Sequence, residues 1–247
     1  MSINLKNFIW TRDPKEAMQN PYEWDAQKKF VKEANLFLRE IRKHLIEKHL
    51  FTKENQSLEK AIWMLSLSAL DSGIEILEGL KKNKIHVVSH LLRHIKESLE
   101  LAKFFSLNTK KSSEKVVKWF NGEFISYRHY REYIRDELKD LTKFNSLRNE
   151  YEELSKFNHN NYFTLLLNYG LGLNDSLHHH GRFDSGIAIP PNTISLYHSY
   201  AAHYILNMAF EISLLKLISI SELLDFIGDQ NLNKEVKRRF EIKNQRR

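Results

Sequence analysis

Arg93 and Glu97 stand four residues apart in a stretch whose apolar residues recur at helical spacing. A guanidinium and a carboxylate at i and i+4 share a helix face, either as part of a solvated polar face or as a buried pair that orders the bundle. Further along, Tyr151, Ser155 and His159 fall at i, i+4 and i+8, with Arg148 close to the same face. A hydroxyl one turn from an imidazole has the makings of a nucleophile and its base, provided a carboxylate orients the ring. No G-x-S-x-G elbow and no evident oxyanion hole accompany it, which argues against acyl hydrolysis. His86, His90 and His94 repeat the i, i+4, i+8 spacing, and two such histidines can chelate one metal ion. No further ligand is marked on another segment, so no metal is assigned. His178, His179 and His180, followed by Arg182 and Asp184, place five ionisable groups on a glycine-rich stretch. Such a run is either a solvated loop or the place where a ligand is met.

A second search looks for an arginine followed at short range by a histidine, the signature of HEPN ribonucleases. Arg39 with His44 and Arg42 with His49 fit the spacing, on the first long helical stretch. Glu40 and Lys43 follow these arginines where the signature usually has asparagine, aspartate or histidine. Arg148-Asn149 begins correctly, but His159 comes too late.

Two longer elements carry a resemblance. Leu92-Arg93-His94-Ile95-Lys96-Glu97 and Tyr151 to His159 match helices of the types L-[LR]-R-x-x-x-E and Y-x-x-L-S-x-x-x-H. In these, residues 60 to 165 resemble a family of uncharacterised bacterial helical proteins catalogued as a domain of unknown function. The family usually has valine before the final histidine, where this chain has Asn158. The resemblance implies a helical fold and a polar cluster of Arg93, Glu97, Tyr151, Ser155 and His159, without a reaction. A link to HEPN-like defence and toxin proteins is one of analogy.

The elements that must position these groups read almost entirely as helix. The 247 residues hold no cysteine, eight glycines and four prolines. Lack of cysteine removes disulfide frameworks, thiolate zinc sites, iron–sulfur clusters and cysteine nucleophiles. Scarce glycine and proline argue against Rossmann folds, propellers and sandwiches, which use both at their turns. Asp13-Pro14 and Asn20-Pro21 read as helix starts. Apolar rows at three and four predict a long first helix through Phe30, Phe37, Ile41 and Leu45. Further helices are predicted over about 57–81, 84–105, 114–120, 125–141 and 146–159. Asn121-Gly122 reads as a helix stop. On the 84–105 helix, Ile85, Val88, Leu92, Ile95, Leu99 and Ala102 share one face. Residues 170 to 192 hold half the glycines and half the prolines and read as one long loop. Thr193 is then placed as the cap of a helix to about Ile220, and Ser221 as the cap of a last one. The fold expected is an all-α bundle of seven or eight helices, a single domain over 1–233 with a basic tail over 234–247.

The net charge of +7 is not spread evenly. Residues 234–247 hold seven basic residues against Glu235 and Glu241, a balance of +5, which leaves +2 for the rest. A near-neutral body argues against a whole-surface nucleic-acid binder. Lys237, Arg238, Arg239, Lys243, Arg246 and Arg247 are the candidates for a nucleic-acid-gripping arm, a solvated terminus being the alternative. The N-terminus shows no signal peptide. The apolar stretch from Tyr200 to Ile220 carries His203, Glu211 and Lys216, which argues against a membrane span.

Together these readings predict a cytoplasmic bacterial interaction protein, within a defence or stress system. Its partner is a protein or RNA, with a homodimer as one option, and no membrane or cofactor is assigned. The rival reading is a HEPN-like, metal-independent ribonuclease with His159 as acid–base and Arg148 or Arg93 steadying phosphate charge. The two motif helices are expected to meet. A closed, bonded cluster favours the first reading and an open cleft the second. If the cluster is buried, Arg93→Ala is expected to cost about 3–5 kcal/mol.

Overall fold

The computed structural model describes residues 8–10, 24–82, 84–158, 169–171, 177–179 and 191–227. Among these the chain is all-α, with eight α-helices. They are α1 (Trp24–Lys48), α2 (Leu58–Lys81), α3 (Ile85–Ser106), α4 (Lys110–Phe120), α5 (His129–Asp136), α6 (Leu141–Asn158), α7 (Pro191–Leu214) and α8 (Ile220–Ile227). A 3-10 turn spans Phe8–Trp10. Within the stretch read as a long loop, β1 (Tyr169–Leu171) and β2 (Leu177–His179) pair antiparallel, Tyr169 opposite His179. The starts proposed at Asp13-Pro14 and Asn20-Pro21 lie outside the described residues, as does the basic tail.

The periodic apolar rows are the buried ones. On α1, Phe30, Ala34, Phe37, Leu38, Ile41 and Leu45 are fully buried. On α3, Ile85, Val88, Leu92, Ile95, Leu99 and Ala102 are all buried. Ser57 caps α2 by accepting from the Lys60 N–H at 3.1 Å. The turn from α2 to α3 is short, so the two helices run antiparallel as the central pair. Lys84 N–H donates to Gly79 O at 2.7 Å to close that turn. A Cβ at Gly79 would sit 3.3 Å from Val88 Cγ2, so glycine allows the close approach. Helix α1 lies on α2, α5 and α6 lie on α3, and α7 reaches α1, α2 and α3.

Several boundaries differ from the sequence reading; among them, the helix expected to run to about Ile220 ends at Leu214, with Lys216 at a positive φ of 63° just beyond. Helix α4 starts at Lys110 because Thr109 and Ser112 form a reciprocal capping box, with serine in the usual glutamate place. Helix α5 is only His129–Asp136, and Lys139 takes a positive φ of 52° just after it. Asp140 then accepts from Lys143 N–H at 2.9 Å and starts α6 five residues ahead of Ser146. Helix α7 begins at Pro191, a favoured first helical residue, instead of after Thr193. The stop at Asn121-Gly122 is as expected. Gly122 has φ of 84° and its N–H donates to Trp119 O at 3.0 Å.

The cap of α8 is Ser219, not Ser221. Glu222 N–H donates to Ser219 Oγ at 3.2 Å, and Ser219 N–H donates to Glu222 Oε2 at 2.7 Å. Those Ser219 bonds, with Lys48 beside them, hold the Glu222 carboxyl down at about 2 against an ordinary 4.5. A depressed folded-state pKa gives stability that is present above pH 4.5 and lost as pH falls through 2. In acid titrations followed by unfolding, Glu222→Gln is therefore expected to lose less stability over that window than the natural chain.

Candidate functional site

The two motif helices do meet. Arg93 Nε donates to Glu97 Oε1 at 2.8 Å along α3, and Arg93 Nη2 donates to the Tyr151 hydroxyl of α6 at 2.5 Å. The Tyr151 hydroxyl donates in turn to Glu97 Oε1 at 3.2 Å, which closes a three-membered ring of bonds. Tyr127, on the connection before α5, bonds hydroxyl to hydroxyl with Tyr151. The Tyr151 ring has a guanidinium on either flank, Arg131 at 4.6 Å and Arg93 at 5.1 Å from its centroid. Each such cation–ring contact contributes on the order of 0.5–2 kcal/mol, the upper end needing desolvation.

The electrostatics follow from this geometry. Burial and the Tyr127 bond push the Tyr151 hydroxyl up to about 12, and the Ser155 hydroxyl works the other way. Burial disfavours the charge on Arg93, but the bond and the charge of Glu97 outweigh it and hold Arg93 above its ordinary value. At neutral pH the cluster is thus an arginine–carboxylate pair bonded to a neutral phenol. Arg93 and Glu97 remain 28% and 26% exposed, so solvent screens the pair. The cost expected for Arg93→Ala falls accordingly, from a fully buried pair's 3–5 kcal/mol to about 1–2 kcal/mol.

Beneath this ring lies a second network that the sequence reading missed. Lys96, Glu100 and Lys103 follow one another at four and three residues on α3, and all three are buried. Glu100 is 1% exposed and pairs with Arg131 Nε of α5 at 3.1 Å. Lys96 pairs with Glu150 of α6, and Lys103 with Glu211 of α7 at 2.8 Å. Burial raises the Glu100 carboxyl despite three nearby cations. Glu150 is only half-buried; desolvation works against its charge, yet the charge and bond of Lys96 draw it below its ordinary value. Helix α3 therefore carries alternating charges into the bundle, each met by an opposite charge from a different helix. The available signal was the 96, 100, 103 spacing on a helix with few remaining solvent positions.

The other sequence candidates go elsewhere. Arg148 is exposed and donates to Glu152 at 2.6 Å. Arg39 is bonded to Asn35, while His44 lies 3.6 Å from Glu222 with its ring against Phe226. Arg42 donates to Asp71 at 2.6 Å, and His49 Nε2 is 3.2 Å from Leu217 O. Neither arginine–histidine spacing therefore builds a shared site. His94 Nε2 is 3.1 Å from Ser68 Oγ, and His90 is exposed. Among the described residues no three histidine or acidic groups could hold a metal ion. His178 and His179 form part of β2, while His159, His180, Arg182, Asp184 and residues 234–247 lie outside the described residues.

Among the described residues, two hollows open to solvent bear on the question of a site. One of about 660 Å³ is lined by Trp63, Leu67, Asp71 and His94. The other, about 560 Å³, lies along α1. Arg93, Glu97, Tyr127 and Tyr151 line neither. No family model matches the chain, and no curated protein or solved structure is similar to it. No helix among the described residues is long and apolar enough to cross a membrane.

Proposed function

We propose that this chain is a cytoplasmic binding protein that engages a protein partner, with the Arg93–Glu97–Tyr151 cluster acting as a strut of the bundle. The observation that carries this reading is the closure of that cluster. Arg93, Glu97 and Tyr151 bond to one another, and none of them lines either of the two cavities described above. A catalytic centre instead keeps a reactive group within reach of substrate. Tyr151, pushed up to about 12, is a poor base at neutral pH, and Glu97 already holds the Arg93 charge. The near-neutral body and strongly exposed Leu50 (89%) and Phe124 (85%) suit a protein partner better than nucleic acid. A setting in a bacterial defence or stress system is part of the same proposal.

The test sets the purified chain against single-stranded RNA without added metal, beside His159→Ala. No cleavage above background by either protein is the expected result. Cleavage that His159→Ala abolishes, with the helical circular dichroism unchanged, would establish the ribonuclease instead. A parallel binding titration with a chain ending at residue 233 addresses the tail. Tight, salt-dependent RNA binding lost with residues 234–247 would replace the protein partner by RNA, each lost phosphate contact lowering the salt slope by about one.

A further inference from the structure

The cavity along α1 has features that select a ligand. Its lining runs from Trp24 to Arg39 on one helix, which is about 22 Å at 1.5 Å per residue. Its volume is about 560 Å³, in the range of small-molecule sites. The space is a long groove, about half open to solvent, along which an extended chain can lie.

The lining combines apolar and cationic residues. Val31 and Leu80 line the cavity with Trp24 and Leu36, both well exposed for apolar residues. Around them stand Lys28, Lys32, Arg39 and Lys81 against a single acid, Glu78. None of the four cations forms a salt bridge with a described carboxylate; Lys28 lies over the Trp24 ring and Arg39 bonds Asn35. The buried wall is His198 of α7, whose Nδ1 donates to Ile194 O at 2.8 Å. Burial lowers this histidine to about 4, so it adds no charge to the wall. Positive charge along the groove thus comes from the three lysines and Arg39, and His198 adds none.

From the length, the apolar lining and the lysines that stand along it, we propose that this cavity binds a single-chain amphipathic monocarboxylate, its acyl chain along α1 and its carboxylate at Lys28 and Lys32. The apolar chain replaces water along the walls, and the carboxylate meets Lys28 and Lys32. This site lies apart from the Arg93 cluster and does not depend on the identity of a protein partner.

Isothermal titration with dodecanoate, below its micelle concentration, tests it. Dodecyltrimethylammonium serves as the same chain with opposite charge. Saturable one-to-one binding of dodecanoate is expected, at least tenfold tighter than that of the cation. Lys28→Glu with Lys32→Glu, two exposed substitutions, should weaken dodecanoate at least tenfold. Val31→Trp, at a half-buried position of the lining, should weaken binding at least tenfold by filling the groove. Circular dichroism would show that both variants stay folded. No saturable binding by the folded natural chain, or equal affinity for both probes, overturns the proposal. So does undiminished dodecanoate binding in the charge-reversed variant.

Discussion

Arg131→Ala is expected to lower the unfolding free energy by about 3–5 kcal/mol, measured by urea denaturation. Arg131 is buried beside a carboxylate that is itself 1% exposed, Glu100, at 3.1 Å. Removing the guanidinium leaves that charge in low dielectric with only Lys96 and Lys103 nearby, and both are committed to Glu150 and Glu211. It also strips the Tyr127 and Tyr151 rings of a cation at 5.4 and 4.6 Å. Two companion results separate charge from packing. Arg131→Met with Glu100→Leu removes both charges at similar volume and should recover most of the loss, because desolvation of a buried pair offsets much of its attraction. The deficit of the single variant should also shrink in acid. Burial already holds Glu100 above 4.5, so the folded state takes up a proton at higher pH than the unfolded state does. A group of that kind favours folding as pH falls.

Trp10→Ala is expected to cost a similar amount, about 3–5 kcal/mol, typical of losing a buried large aromatic. Trp10 lies on a three-residue turn remote in sequence from α1, yet it is only 2% exposed. Its ring stands edge-on to Phe30 at 4.9 Å and to Phe37 at 6.1 Å, and its Nε1–H donates to Glu33 at 3.0 Å. Trp10→Phe keeps much of the packing and loses the bond, so it should cost about 1–1.5 kcal/mol more than a neutral change. A loss under 1 kcal/mol for Trp10→Ala in thermal and urea unfolding would show that the N-terminal turn does not dock on α1.

These residues also show what the sequence makes legible. The apolar faces of α1 and α3 follow from periodicity alone, because an amphipathic helix can bury only one stripe and these stripes are continuous. The meeting of Arg93 with Tyr151 is legible for a related reason. Polar groups at helical spacing beside an apolar face must lie near the seam where two helices pack. Arg131 and Tyr127 were not legible, since one sits on a two-turn helix and the other on its connection, where periodicity has nothing to count. Glu100 and Lys103 were assigned no role from the sequence, and isolated charges are costly to bury. Burial of Lys96, Glu100 and Lys103 depends on Glu150, Arg131 and Glu211 arriving from three other helices, which no local window contains. The short ends of α5 and α6 escaped for a local reason. Asp140 competes with Ser146 as a cap, and the positive φ at Lys139 decides between them.

The central claim is that the Arg93–Tyr151 contact couples α3 to α6 as a structural strut. A double-mutant cycle on stability tests this most directly, using Arg93→Ala, Tyr151→Phe and the pair. Each single change removes the 2.5 Å bond, so the second change adds little after the first. The coupling energy expected is about 1 kcal/mol or more, with helical circular dichroism retained in all variants. Costs that add to within about 0.5 kcal/mol would show two residues that do not act on one another, and would contradict the account.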